Sequence, residues 1–110
     1  MLRQTPAIVK NSVRFSMEAD SLNAAVLGPD VSPEDPEFDL FIKEVAREMT
    51  VKAGQKCTAI RRVIVPKGQE KAVIEALSER LGKTPLGLPD DADARMSALA
   101  SLGDRDGVRE

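Results

Sequence analysis

The sequence predicts an α/β fold in which parallel strands are joined by crossover helices. Three observations predict it. Asn23-Ala24-Ala25-Val26-Leu27 is a short apolar run without alternation, the pattern of a strand buried on both faces. Ile60 to Val65 is a second strand-like run, ended by Pro66. Between them Phe38, Phe41, Ile42, Val45 and Met49 recur at helical spacing and form one apolar stripe. Strand, helix and strand in that order imply a parallel crossover, which is right-handed as a rule.

Taken in order, Val13 to Phe15 reads as a short first strand and Asn23 to Leu27 as the next. Gly28-Pro29-Asp30 then breaks the chain. Asp35 is placed to cap the following helix, Pro36 fits its first position, and Glu37 and Asp39 suit the positive end of its dipole. Lys52 falls in its last turn and Gly54 is a natural left-handed stop. After the Ile60 to Val65 strand a second helix spans about Gln69 to Leu81. Val73, Ile74, Leu77 and Leu81 face its core side, and Gly82 ends it. Thr84 to Asp93 is loop-like, punctuated by Pro85, Gly87 and Pro89. Ser101 and Asp104 resemble a capping box for a final helix that runs toward Glu110.

A length of 110 residues allows one small domain. Apolar residues make up 42% of it, with three Phe and no Trp or Tyr, so the core is modest and aliphatic. A net charge of −2 argues against a nucleic-acid or membrane-surface protein. No apolar run approaches the roughly 20 residues of a membrane span, and the N-terminus lacks the apolar core of a secretory signal. One cysteine makes no internal disulfide, so a reducing, cytoplasmic setting is expected. One Cys and no His also leave no ordinary zinc site, and no metal is expected. The charge is unevenly spread. Residues 18 to 39 carry seven acids and no base, whereas residues 43 to 71 carry eight bases and three acids. The basic stretch is either a solvated face or a surface that meets the phosphates of a cofactor or a CoA thioester.

The residues with chemistry to offer are few. Cys57 lies between Lys56 and Thr58, with Lys52, Arg61 and Arg62 near in sequence. A positive neighbourhood favours thiolate, the nucleophilic form. The competing reading is a buried cysteine that only packs. Glu18 enters a sheet segment where partial desolvation would suit a general base. On local features alone the surface acid at a strand end is the plainer reading of Glu18, and Asp20 competes with it for the base role.

Met17-Glu18-Ala19-Asp20-Ser21-Leu22-Asn23 and Lys52-Ala53-Gly54-Gln55-Lys56-Cys57-Thr58 occur in order, with Glu18 39 residues before Cys57. Together they resemble the general-base strand and the Gly-Gln-x-Cys nucleophile loop of the aldehyde dehydrogenase superfamily. The likeness runs from Pro6-Ala7-Ile8-Val9 to Arg105-Asp106-Gly107-Val108 and includes Arg62-Val63-Ile64-Val65-Pro66. Most of the family has Glu-Leu-Gly-Gly where this chain has Glu18-Ala19-Asp20-Ser21. That departure is similar to the aldehyde dehydrogenase part of the bifunctional ring-opening enzymes (oxepin-CoA hydrolase and semialdehyde dehydrogenase) of phenylacetate degradation. A second departure is Ser97, which stands where a glycine commonly follows the methionine.

The resemblance implies a partial aldehyde dehydrogenase catalytic domain over residues 1–110, with the nucleotide-binding domain absent. It implies Cys57 as nucleophile and Glu18 as the base that activates water. It further implies NADP or NAD as cofactor, a small aldehyde, such as a CoA thioester, as substrate, and a homo-oligomeric full-length enzyme. The family's asparagine oxyanion donor lies upstream of any residue here, so Asn11 and Asn23 are not assigned that role. The 110 residues alone are expected to be inactive and to expose apolar surface. The alternative is a non-catalytic α/β module that binds a partner or joins a full-length relative's oligomer.

Overall fold

Two strands pair in parallel, one helix lies against the second of them, and another helix packs on that helix. The computed structural model describes residues 4–16 and 21–109. Helix α1 spans Pro6–Lys10, strand β1 Asn23–Val26 and helix α2 Pro36–Thr50. A single 3-10 turn, Val51–Gly54, leads toward strand β2, Ile60–Ile64. Helices α3, Glu70–Gly82, and α4, Leu102–Arg109, follow. The expected parallel strand–helix–strand unit is therefore present as β1, α2 and β2.

The register pairs Ala24 with Arg62, Ala25 with Val63 and Val26 with Ile64. Ile60 and Arg62 face the successive residues Asn23 and Ala24, so the pairing slips by one residue at Arg61. The ladder runs on to Leu27, whose N–H donates to Ile64 O at 2.9 Å.

Helix α2 buries the stripe that its sequence marks. Phe38, Ile42, Val45 and Ala46 are buried, while Phe41 and Met49 are half-buried. Leu27, Phe38, Ile42 and Val73 form the core cluster, with Phe41, Val63, Ala76 and Leu77 packed against it. Burying a side chain the size of Phe or Ile contributes about 1.5–3 kcal/mol each, and α2 supplies two of the four. Pro36 takes the first helical position and Glu37 and Asp39 the first turn, as expected. Asp35 occupies the cap position, but its carboxylate does not cap. It turns back to accept from Ser32 N at 2.7 Å, closing the tight turn before the helix.

Other expectations are corrected. Val13 to Phe15 is not a strand, and α1 just before it, opened by Pro6, was not anticipated. The apolar–polar alternation of Val13-Arg14-Phe15 finds no ladder among the described residues. Strand β1 is not buried on both faces: Ala25 points inward, but Val26 is 67% exposed, as is Ile64 at 52%. Among the described residues, elements cover one face of the two-stranded sheet. In α3, Val73 is buried and Ala72, Ala76 and Leu77 are half-buried, whereas Ile74 is exposed. The inward face of that helix is lined by small alanines that a search for large apolar residues passes over. The final helix does follow the Ser101 signal. Ser101 Oγ accepts from Asp104 N at 3.1 Å and donates to Asp104 Oδ2 at 2.7 Å. The radius of gyration of the chain is 18.7 Å, against about 13 Å for a compact domain of roughly 100 residues.

Candidate active site

Cys57 stands near the tip of a tight turn between α2 and β2. Ala59 N donates to Lys56 O at 3.0 Å, which makes Cys57 and Thr58 the central residues of the turn. Cys57 is exposed. Among the 110 residues it is therefore not packed into a core.

The approach to the turn is unusual. The helix ends at Thr50, whose Oγ1 donates to Ala46 O at 2.8 Å. Lys52 was expected in the last helical turn, with Gly54 as the sole left-handed stop. Instead Lys52, Ala53 and Gly54 are all left-handed, with φ of 53°, 54° and 75°. A left-handed non-glycine residue costs roughly 1–2 kcal/mol, so two in a row must be held in place by their surroundings. Glycine is favoured at position 54 on two counts: its φ is positive, and an added Cβ would lie a tight 3.1 Å from Met49 O.

Three side chains hold the loop. From α2, the Glu48 carboxylate accepts from Lys56 Nζ at 3.0 and 3.2 Å and from Thr58 Oγ1 at 2.9 Å. Those hydrogen bonds, the one from Lys56 first, hold the Glu48 carboxyl below its ordinary range. From β1, Asn23 Nδ2 donates to Cys57 O at 2.6 Å and reaches Ala59 O at 3.5 Å. Gln55 Oε1 accepts from Ala100 N at 3.1 Å and ties the loop to the segment before α4. Of the bases expected around the thiol, Lys56 is committed to Glu48, while Lys52, Arg61 and Arg62 are exposed.

Of the sequence-derived pair, Cys57 is placed as described, whereas Glu18 and its competitor Asp20 lie outside the described residues. Asn11 turns to its own helix, donating from Nδ2 to Ala7 O at 2.9 Å. Asn23 is engaged with backbone carbonyls of the cysteine loop. Sequence reasoning missed Glu48 altogether. The available signal was an acid inside the basic stretch from 43 to 71, where only three acids occur.

The described residues thus set an exposed cysteine three residues after a left-handed glycine, on the connection of a parallel α/β crossover. The chain belongs to the aldehyde dehydrogenase family, whose sequence pattern it matches over residues 3–110. Membership of that family is what the resemblance of the two motifs implied. The chain is also 50% identical over 100 residues to the 3,4-dehydroadipyl-CoA semialdehyde dehydrogenase of Aromatoleum evansii. That alignment covers 91% of this chain and 19% of the relative, so the chain spans about a fifth of the relative's length. Among the described residues no helix is long and apolar enough to cross a membrane.

Proposed function

We propose that this chain supplies the nucleophile of an NAD(P)-dependent enzyme that oxidises a CoA-linked semialdehyde, as in phenylacetate catabolism. The observation that carries the proposal is the exposure of Cys57 at the tip of a turn pinned from β1 and α2. The substrate class follows from likeness to a CoA-semialdehyde dehydrogenase.

In this reading the Cys57 thiolate adds to the aldehyde carbon and forms a carbon–sulfur bond, giving a thiohemiacetal. The Cys57 N–H donates to the oxygen that turns anionic. A nicotinamide cofactor, NADP in the favoured case, supplies the hydride acceptor when bound. Loss of hydride leaves a thioester on Cys57. Glu18 takes a proton from water, the water attacks the thioester, and the acid product leaves as the thiol is restored. The turn after β1 is Gly28-Pro29-Asp30, without the glycine spacing that lets backbone N–H groups surround a pyrophosphate. No cofactor contact is therefore assigned to the described residues, and the 110 residues alone are expected to be inactive.

The test is a chimera in which this chain replaces the matching 100 residues of the Aromatoleum evansii enzyme. It should oxidise a CoA-linked semialdehyde with NADP or NAD. Cys57→Ala should lower turnover at least ~1,000-fold, the scale of losing a covalent nucleophile. Glu18→Gln should leave a burst of reduced cofactor followed by slow hydrolysis. Turnover retained by Cys57→Ala would sink the reading.

A further inference from the structure

The hydrogen bonds around the turn converge on three consecutive residues. Glu48 binds the residue before Cys57 and the residue after it. Asn23 binds the carbonyl of Cys57 itself. The two clamps come from different elements, α2 and β1, and reach across 8 to 10 and 34 residues of sequence respectively. An exposed four-residue turn carrying no apolar anchor other than Ala59, which is 2% exposed, otherwise has little to fix it.

We propose that Glu48 and Asn23 are positioning residues for the nucleophile: Glu48 brackets Cys57 through both its neighbours, and Asn23 fixes its carbonyl. The proposal rests on the reading of Cys57 as nucleophile. Its value to catalysis is geometric. Reacting atoms must stay near their attack distance, and a misplacement of about 1 Å costs on the order of 100-fold in rate. The Glu48 side chain keeps 23% of its exposure, so water competes for these bonds and neither one alone holds the turn rigid. Two clamps on one turn compensate for that.

Glu48 also gives the arrangement a pH signature. The charged groups that face it are Lys56 and, more weakly, Arg47, with Thr58 as the neutral donor. Its carboxyl is lowered from an ordinary 4.5. The clamp is thus fully present above pH 4.5 and is lost as pH falls through the lower folded value.

The experiment has two arms. In the 110-residue chain, hydrogen-exchange protection is measured at residues 56–59 in the wild type, Glu48→Ala, Glu48→Gln and Asn23→Leu. Both Glu48→Ala and Asn23→Leu should lower protection there about tenfold, with the amides of α3 within about twofold. A Glu44→Ala control, one turn away on α2, should change nothing. The wild-type turn should lose protection on acidification through the Glu48 value, and Glu48→Gln should lack that step. In the chimeric enzyme, Glu48→Ala and Asn23→Leu should lower kcat about 10- to 100-fold with KM within about twofold. Glu48→Gln, which keeps an acceptor for Thr58, should fall between them and the wild type.

Unchanged protection at residues 56–59 in both single variants overturns the clamp. A loosened turn with unchanged kcat overturns the positioning role. Turnover by Cys57→Ala overturns the nucleophile reading and the positioning role with it, while the exchange data still report separately whether the turn is clamped.

Discussion

The turn that carries Cys57 and the outer face of the β1–β2 sheet are neighbours, yet they are finished to different degrees. Around the turn, Glu48, Asn23 and Gln55 all find partners among the 110 residues. On the outer face, Val26 and Ile64 are paired by the ladder but left largely in water. The difference follows from the range of the forces. A hydrogen bond needs one correctly placed partner within about 3 Å, and a single crossover unit supplies several. Burial needs area, and one layer of helices covers one face of a sheet. A cysteine-bearing loop can thus be organised inside a unit whose hydrophobic packing is only half complete.

The largest expected effect lies on the covered face. Phe38→Ala empties the middle of the core cluster and should cost about 3–5 kcal/mol, a large part of what a small domain possesses. Loss of helical circular dichroism at room temperature is the expected result. A variant that unfolds at the wild-type denaturant midpoint would show that the covered face is not what holds the chain together.

An intermediate effect is expected at the approach to the turn. Gly54→Ala places a Cβ at positive φ and against Met49 O, and should cost roughly 1–2 kcal/mol. A urea titration reads this directly. No change in midpoint would mean that the left-handed run Lys52-Ala53-Gly54 relaxes without penalty, and the contrast between a fixed turn and an unfinished sheet would weaken.

The smallest effect belongs to the open face. Val26→Thr should shift stability by no more than about 0.5 kcal/mol while raising the concentration at which the chain stays dispersed. A loss above about 2 kcal/mol would show that Val26 is buried in solution, by another copy of the chain for instance, and would remove the contrast altogether.

Much of the scaffold was legible in the residues, for identifiable reasons. Phe38, Ile42 and Val45 announce α2 because a helix against a sheet needs one apolar stripe. Ser101 and Asp104 announce α4 because a helix start needs acceptors for its free N–H groups. The family was legible through the Gly54-Gln55-Lys56-Cys57 motif. What stayed hidden was set by contacts at non-helical range. Glu48 meets Lys56 and Thr58 only because the chain reverses after Thr50, and no periodicity marks a pair separated by 8 or 10 residues. Ile74 was misplaced for a related reason: Ala72 and Ala76 take the inward face of α3, and alanine carries little signal of burial. The two-sided strand pattern of Asn23 to Leu27 was read correctly as composition and wrongly as environment, since the layer it calls for is not among the described residues.

The parallel pairing of β1 with β2 also sets an order of events during synthesis. Asn23 cannot meet the Cys57 carbonyl, 34 positions further along, until Cys57 has left the ribosome. At translation rates of about 5–20 residues per second that interval is roughly 2–7 s. Throughout it β1 is an emerged, unpaired, apolar strand, the kind of segment that chaperones hold and that neighbouring nascent chains capture. The same long crossover that places the cysteine beside its clamps makes the first strand wait for the last residues of its partner.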